Sequence, residues 1–405
     1  MTGSGAPVIA LDLSRLLSRA ASPTPTGIDR VELAYARHLA AGERPHCYAA
    51  RGAFGGIGLL PTGEAEHFVT ALAAGWRDGG AAGDPRRIAA LARRLRRAAL
   101  FGAGPLRRSM RRGGAGPVYL LVSHQNLDRG RPIARLKAMT GARFVCLIHD
   151  LIPLDLPHLT RPGQERRHRR RIATSAALAD AAIVNSVSTR DALAVRLGPG
   201  ARDLPIVVAP LGSELPDLAM PAAYGRPYFV CVATIEARKN HRLLLDLWRR
   251  LAQELGDRAP QLRLIGQPGF GSEQIVDKPF TRTAAVTEDT ELPDAAMAVL
   301  LRGARALLLP SLAEGFGLPV VEALALGVPV ICSDLPALRE SGGGIADYLD
   351  PIDAAAWRQA ILDYSTETPR RQAQLARLAN WQPPSWDDHF AIVERLIDDL
   401  RQAGL

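Results

Sequence analysis

Cysteine is scarce in this 405-residue chain, and its four copies, Cys47, Cys146, Cys231 and Cys332, lie far apart. No CxxC pair and no His/Cys cluster at ligand spacing occurs, which argues against a disulfide framework or structural zinc and fits a reducing cytoplasm. No apolar run approaches the roughly 20 residues that a spanning helix needs, so an integral membrane protein is not expected. The opening stretch MTGSGAPVIALDLSRLL lacks a basic segment ahead of its short apolar run and meets Asp12 early. It is therefore not read as a secretory signal. Short tandem repeats are missing. The one relevant glycine set, GQPGFG at 266–271, is spaced GxxGxG. It lacks the dinucleotide fingerprint, which argues against an NAD-linked dehydrogenase.

What is present is a globular balance, 47% hydrophobic and 22% charged, at a length that suits two domains. The net charge of +9 hides an asymmetry. Residues 1–212 carry 31 Lys/Arg against 15 Asp/Glu, and residues 213–405 carry 19 against 26. An anionic surface or substrate would meet the first half.

Short apolar runs alternate with helical periodicity. Strands are expected at 7–13, 118–123, 143–149, 181–186 and 205–210, then at 228–233, 262–266, 306–311 and 329–334. Most are apolar on both faces, as parallel strands covered by helices are. This predicts two Rossmann-like α/β domains facing each other across a cleft, with ligands beyond the carboxyl ends of the strands. The expected boundaries are a first domain at 1–212 with a basic insertion near 83–112, a Pro/Gly-rich linker at 213–226 and a second domain at 227–380. A helix at 381–405 crosses back onto the first domain, pinned by Trp386 and Phe390.

The stretch PSLAEGFGLPVVEALALGVPVICSD (310–334) carries the most chemistry. It reads as a strand, a glycine-rich loop and a helix. Gly315 and Gly317 suit close approach of backbone to a ligand, and Pro319 suits the first helical turn. The amides of Val320 and Val321 are expected to point outward, unpaired, as a phosphate site. Glu314 in the loop and Glu322 in the first helical turn accept hydrogen bonds from hydroxyls, as a ribose and a hexose would supply. The loop looks built for a nucleoside diphosphate sugar.

EGFGLPVVEALALGVPVICSD resembles the donor-site signature of retaining glycosyltransferases of the GT-B fold, family four. The similarity extends through CVATIEARKNHRLLLDLW (231–248), LRLIGQPGFG (262–271), DAAMAVLLRGARALLLPS (294–311), TGIDRVELAYARHL (26–39), VCLIHDLIPL (145–154) and AAIVNSVSTRDAL (181–193). It leaves about 50–115 uncovered. The resemblance implies that Glu322 binds the ribose and Glu314 the transferred sugar. It further implies donor contacts from Gly315, Phe316, Gly317, Leu318, Val320 and Val321.

In EARKNHRLLLDL, Arg238 and Lys239 are expected at the start of a helix, where two cations call for an anion. The resemblance gives Lys239 the diphosphate. It places Thr234 where many relatives carry an arginine, leaving Arg238 as the second cation or else a surface charge. His149 and Asp150 end a strand. By resemblance His149 positions the hexose, while Asp150 contacts the acceptor or caps the following turn. Gly27 opens the first loop toward the donor phosphates, and Arg30 contacts acceptor or phosphate or lies on the surface. Ser186, Ser188 and Thr189 cap a helix or contact the acceptor.

Residues 83–112 hold ten arginines and one acid, with Ile88, Leu91, Leu95 and Leu100 near helical spacing. A basic amphipathic helix there would lie on anionic lipid headgroups, or else present a solvated face. Residues 161–172 add Arg161 and five further arginines. Together these segments would hold a lipid-linked, phosphate-bearing acceptor.

The resemblance implies a hexosyltransferase that retains the anomeric configuration and needs neither metal nor cofactor beyond its nucleotide-sugar co-substrate. GDP-mannose is the favoured donor and a lipid-linked glycan of bacterial surface polysaccharide the acceptor. Its place is the cytoplasm or the inner face of the plasma membrane. The alternatives are a nucleotide-sugar epimerase or hydrolase of the same architecture, and a nucleic-acid-binding protein. With Phe101 as the lone aromatic among the arginines there is little for base stacking, so no nucleic acid is expected.

Overall fold

A computed structural model describes residues 8–52, 55–79, 84–112, 116–198, 204–214, 226–275 and 284–402. Most of the expected linker, 215–225, lies outside them, as does Gly83 of the basic insertion. The chain forms two compact units. Unit 1 comprises Met1–Leu154, Gly163–Ala209 and Asp387–Leu405, and unit 2 comprises Asp155–Pro162 and Pro210–Trp386. Among the described residues no helix is long and apolar enough to cross a membrane.

Unit 1 holds seven strands: β1 (Ile9–Asp12), β2 (His46–Arg51), β3 (Ile57–Leu60), β4 (Val118–Leu121), β5 (Arg143–Ile148), β6 (Ala181–Val184) and β7 (Ile206–Val208). They run in the order 3-2-1-4-5-6-7, all parallel except the β2–β3 hairpin. Unit 2 holds β8 (Tyr228–Val232), β9 (Gln261–Ile265), β10 (Val286–Asp289), β11 (Leu307–Leu309), β12 (Val330–Ser333) and β13 (Asp347–Leu349). Their order is 10-9-8-11-12-13, all parallel. Alternate residues of β8 explain why such strands are apolar throughout. Tyr228 and Val230 enter one buried cluster, while Phe229 and Cys231 enter another on the opposite face,.

Every strand expected from the sequence is present, each shortened at one or both ends except β9, which keeps its length and begins one residue earlier. Of the strands not anticipated, β10 (VTED) and β13 (DYL) are short and carry polar residues, β2 (HCYAAR) mixes polar and small residues, and β3 (IGLL) is a four-residue run broken by glycine. Their strand character comes from the neighbour they pair with rather than from their own composition.

The basic insertion forms a helix, Pro85–Phe101, started by Asp84, whose side chain accepts the Arg86 amide. Its buried stripe is Ile88, Ala92, Leu95 and Ala99, with Leu91 and Leu100 only half-buried. That stripe lies on β3 at backbone distance: a Cβ on Gly58 would come 2.1 Å from the Ala99 carbonyl oxygen. The amphipathic helix is real, but its apolar face is spent inside unit 1. Its arginines and Phe101, 85% exposed, are what remain outside.

The last helix, Trp386–Gln402, packs within unit 1 from Asp387 onward. Phe390 stacks on His38 with centroids 3.8 Å apart and meets Tyr35 edge-on at 5.0 Å. His389 donates from Nδ1 to the Ala209 carbonyl at 3.1 Å and accepts the Tyr35 hydroxyl at Nε2 at 2.8 Å. Trp386 does not share this role. It belongs with unit 2, backed closely by Gly212, so the expected Trp386–Phe390 pin is a His389–Phe390 pin instead. One helical step separates the two contexts, and the chain changes unit there.

Unit 1 also buries Glu32 completely. Oε1 accepts the Leu16 amide at 2.9 Å. Burial pushes the carboxyl up to about 8 despite that bond, and nearby Asp12 adds to the rise,. Folding therefore takes up a proton between the ordinary carboxylate value of 4.5 and about 8. Stability from this group falls as pH rises through that window. Glu32→Gln cannot ionise, so its melting temperature should exceed that of the wild type at pH 8 and match it near pH 4.5. Parallel melting curves across the range would refute the assignment.

Candidate functional site

In unit 2, β8 and β11 are adjacent, although β9 and β10 intervene in sequence and lie on the far side of β8. The chain reverses its winding at that point, so the loops leaving β8 and β11 diverge from one edge of the sheet and leave room for a ligand. The β8 loop carries Thr234, half-buried, and then Arg238 and Lys239. The β11 loop carries Ser311 through Gly317. The Leu312 amide donates to the Arg238 carbonyl at 2.7 Å, so backbone joins the loops directly.

Lys239 Nζ donates to Glu314 Oε1 at 2.5 Å, and Ser311 Oγ donates to the same oxygen at 2.6 Å. Arg238 Nη1 lies 3.5 Å from Glu314 Oε2, while its Nε holds Glu236 at 2.6 Å. The Lys239 and Glu314 side chains are 10% and 8% exposed. Burial alone would raise the Glu314 carboxyl, but Lys239 and Arg238 outweigh it and hold the group below its ordinary value. Burial first, then Arg238, lowers the Lys239 ammonium. The site thus keeps a carboxylate ionised at neutral pH beside two basic side chains within a largely dry setting,.

Arg238 and Lys239 do not open the long helix as expected. They lie in a 3-10 turn, Ala237–Lys239, and Asn240 at φ 54° separates them from the helix His241–Leu255. Asn240 tolerates that conformation and ties its Nδ2 to the Pro351 carbonyl at 2.9 Å,. His241 beneath is buried and held neutral, lowered to about 4 by burial and by Lys239.

The helix Leu318–Ala325 starts after Gly317, whose φ of 100° and crowding by Leu338 require glycine,. Two expectations about this helix are corrected. Val320 does not present a free amide, because its N–H donates back to the Gly317 carbonyl at 2.9 Å in a tight first turn,. Glu322 is the fifth helical residue, in the second turn rather than the first, and is buried. Phe316, Val320 and Val321 are buried, whereas Gly315 and Leu318 are half-exposed.

Unit 1 carries the remaining expected residues. Gly27, exposed, opens the helix Gly27–Ala41, and half-buried Arg30 lies in its first turn. Thr26 and Asp29 form a reciprocal capping box there, and Asp29 also binds Arg15 at 2.6 Å,. His149, at the end of β5, is buried and donates from Nε2 to the Val122 carbonyl at 2.8 Å. Burial lowers it to about 4, so it is neutral with its lone pair on Nδ1,. Asp150 accepts the Ile152 amide at 3.1 Å, the capping role weighed for it. Ser186 accepts the Thr189 amide at 3.0 Å and caps its helix.

Several residues escaped the sequence reading. His124 Nε2 accepts the His149 amide at 3.1 Å, Asn185 donates to the His149 carbonyl at 3.0 Å, and His168 donates to the Asp150 carbonyl at 3.0 Å. These three side chains come from separate parts of the chain and fix the His149–Asp150 backbone. No local pattern announces them. Ser311 was findable, since it stands three residues before Glu314, within reach of that carboxylate.

Residues 226–367 match the family described as Glycosyl transferases group 1. O-antigen chain mannosyltransferase B of Escherichia coli is 35% identical over 165 residues, 40% of this chain and 43% of that protein. O-antigen chain mannosyltransferase RfbU of Salmonella typhimurium is 44% identical over 63 residues, 16% of this chain and 18% of that one. The matches therefore span less than half of either relative. Among solved structures, sucrose-phosphate synthase from Thermosynechococcus elongatus superposes with a TM-score of 0.64 at 18% identity, covering 98% of this chain and 100% of that one. Anabaena HepE in complex with UDP-glucose gives 0.63 at 14% identity, covering 96% and 99%. The fold is GT-B, and the residues that match the glycosyl transferases group 1 family, 226–367, hold Lys239, Glu314 and Glu322.

Proposed function

We propose that this protein is a glycosyltransferase of bacterial surface polysaccharide synthesis, moving a hexose from a nucleoside diphosphate sugar to a glycan. The observation that carries this reading is the Lys239–Glu314 pair, flanked by Arg238 and Ser311, at the reversal point of the unit 2 sheet. Two cations there would take up the charge of a departing diphosphate, and the carboxylate between them would accept hydroxyls of the transferred sugar. Glu322 is the residue for the ribose. Before donor arrives the cations are paired with Glu314 and Glu236, so a diphosphate would join an existing ion cluster rather than meet bare charges in a dry site,. The neighbour solved with UDP-glucose and the O-antigen mannosyltransferase relatives support a nucleotide-sugar donor, with mannose from GDP-mannose the favoured sugar.

The finer reading is retention of configuration without a metal, on a lipid-linked acceptor, at the inner face of the plasma membrane. With the apolar stripe of Pro85–Phe101 spent on β3, attraction to anionic headgroups would come from its exposed arginines, with Phe101 beside them,.

A calorimetric panel of GDP, UDP and their sugars tests the donor. Glu322→Ala should weaken nucleotide binding roughly tenfold or more, as loss of a hydrogen bond to a buried carboxylate does. Glu314→Ala should leave nucleotide binding within a few-fold and chiefly impair transfer. If neither change alters binding or turnover, the site is misplaced.

A further inference from the structure

Arg171 is a buried cation. It lies on the helix Gln164–Leu178, one turn after His168, and is 9% exposed. The other arginines of the 161–172 run are all exposed. Its Nη1 meets His168 Nδ1 at 3.3 Å, and its Nε has no hydrogen-bond partner. Among the described residues no carboxylate reaches ion-pair distance. Asp128 is held by Arg167 at 3.3 Å, and Asp150 accepts the Ile152 amide. His168 cannot neutralise it: its Nε2 donates to the Asp150 carbonyl, which leaves Nδ1 as a lone pair toward the arginine. His124, packed against the His168 ring at 5.0 Å, is itself kept neutral by burial. Burial and then Arg167 lower the guanidinium to about 10, still ionised at neutral pH. A buried charge that Asp128 and Asp150 act on only from beyond ion-pair distance, with an orphaned donor, costs stability that a bound anion would restore,.

We propose that Arg171 marks an oxyanion subsite in unit 1, which takes a phosphate or carboxylate group of the acceptor. A guanidinium edge presents two parallel N–H groups that match either oxyanion, and here the Nε–H is the free prong,. Assigning the anion to the acceptor rests on the transferase reading, whereas the anion site stands on its own geometry.

The test titrates the full-length protein with inorganic phosphate and with acetate at constant ionic strength, with chloride as reference, and follows melting temperature and binding heat. Wild type should show a saturable response that chloride does not give. Arg171→Met should weaken it roughly tenfold or more, while Arg170→Met, at an exposed neighbour, keeps it. Lys239→Met should also keep it, which separates this subsite from the unit 2 cations. Without added anion, Arg171→Met should melt no lower than wild type, since methionine removes an unpaired charge and keeps the apolar stem. Should that variant fail to fold, Arg171→Lys carries the comparison through loss of the two-pronged edge. A phosphate preference identifies a phosphate-bearing acceptor, and an acetate preference an acidic sugar. No saturable response in wild type, or an equal one in the Arg171 variant, overturns the subsite. GDP and UDP binding measured on the same samples separates the two ideas. Lost nucleotide binding with intact anion binding removes the transferase reading and leaves the subsite standing.

Discussion

Replacing Lys239 with methionine should slow transfer by about 10²–10³, the usual consequence of removing a preorganised charge from a forming anion. The side chain is buried, and its ammonium lies 2.5 Å from Glu314. Water cannot replace it at little cost, as it could on an open surface. Stability should suffer less than the roughly 3–5 kcal/mol seen when a buried pair loses one partner. Glu314 retains Ser311 at 2.6 Å and Arg238 at 3.5 Å, so its carboxylate is not stranded. In the wild type the lowered Glu314 group contributes stability above its unfolded value of 4.5, lost as pH falls through the folded value,. Lys239→Met should shrink that acid-side contribution. Initial rates at saturating donor, together with melts at pH 4 and pH 7, separate the two effects. A rate within tenfold of wild type would remove Lys239 from the donor phosphates. Arg238→Met should cost less, since Arg238 also serves Glu236 and the loop backbone while Lys239 remains in place.

Ending the chain after Trp386 should unfold unit 1 and leave unit 2 cooperative. The deletion removes Phe390, Val393, Leu396 and Ile397, all buried. At about 1.5–3 kcal/mol each, their burial sums to roughly 6–12 kcal/mol, the whole net stability of an ordinary domain. It also strips Ala209 and Tyr35 of their His389 partner and Arg44 of its bidentate Asp398 contact at 2.9 and 3.1 Å. Trp386 stays, so the packing of Gly212 in unit 2 is preserved. Hydrogen exchange should then become fast in β1, β4 and β5 while β8, β9 and β11 remain protected. Protection of both sheets would mean that the last helix is an ornament to unit 1. Phe390→Ala is the milder version, expected to cost about 3–5 kcal/mol.

The O-antigen relatives and the group 1 match cover parts of the chain, and the Arg-rich stretch outside the noted resemblance is where the fold departs from simple expectation. Its leucines read as an amphipathic helix, and the helix forms. Which partner its apolar side would meet was not legible, because β2 and β3 carry too little apolar periodicity to announce a hairpin. Gly58 and Gly102 are the trace of that contact in the sequence. Their meaning appears only when Ala99 and Leu59 are seen against them.

By itself the sequence determined what depends on residues a few positions apart. Apolar runs made strands, Gly317 and Pro319 made a turn into a helix, and Thr26 with Asp29 made a cap, because local sterics and hydrogen bonds decide these. Only the tertiary structure decided what joins distant stretches. Sheet order brings Lys239 to Glu314 across 75 residues, and helix packing buries Arg171 while leaving the other arginines of its run exposed. Such outcomes follow from which strands adjoin and which helix face turns inward, and no short stretch of chain contains that information.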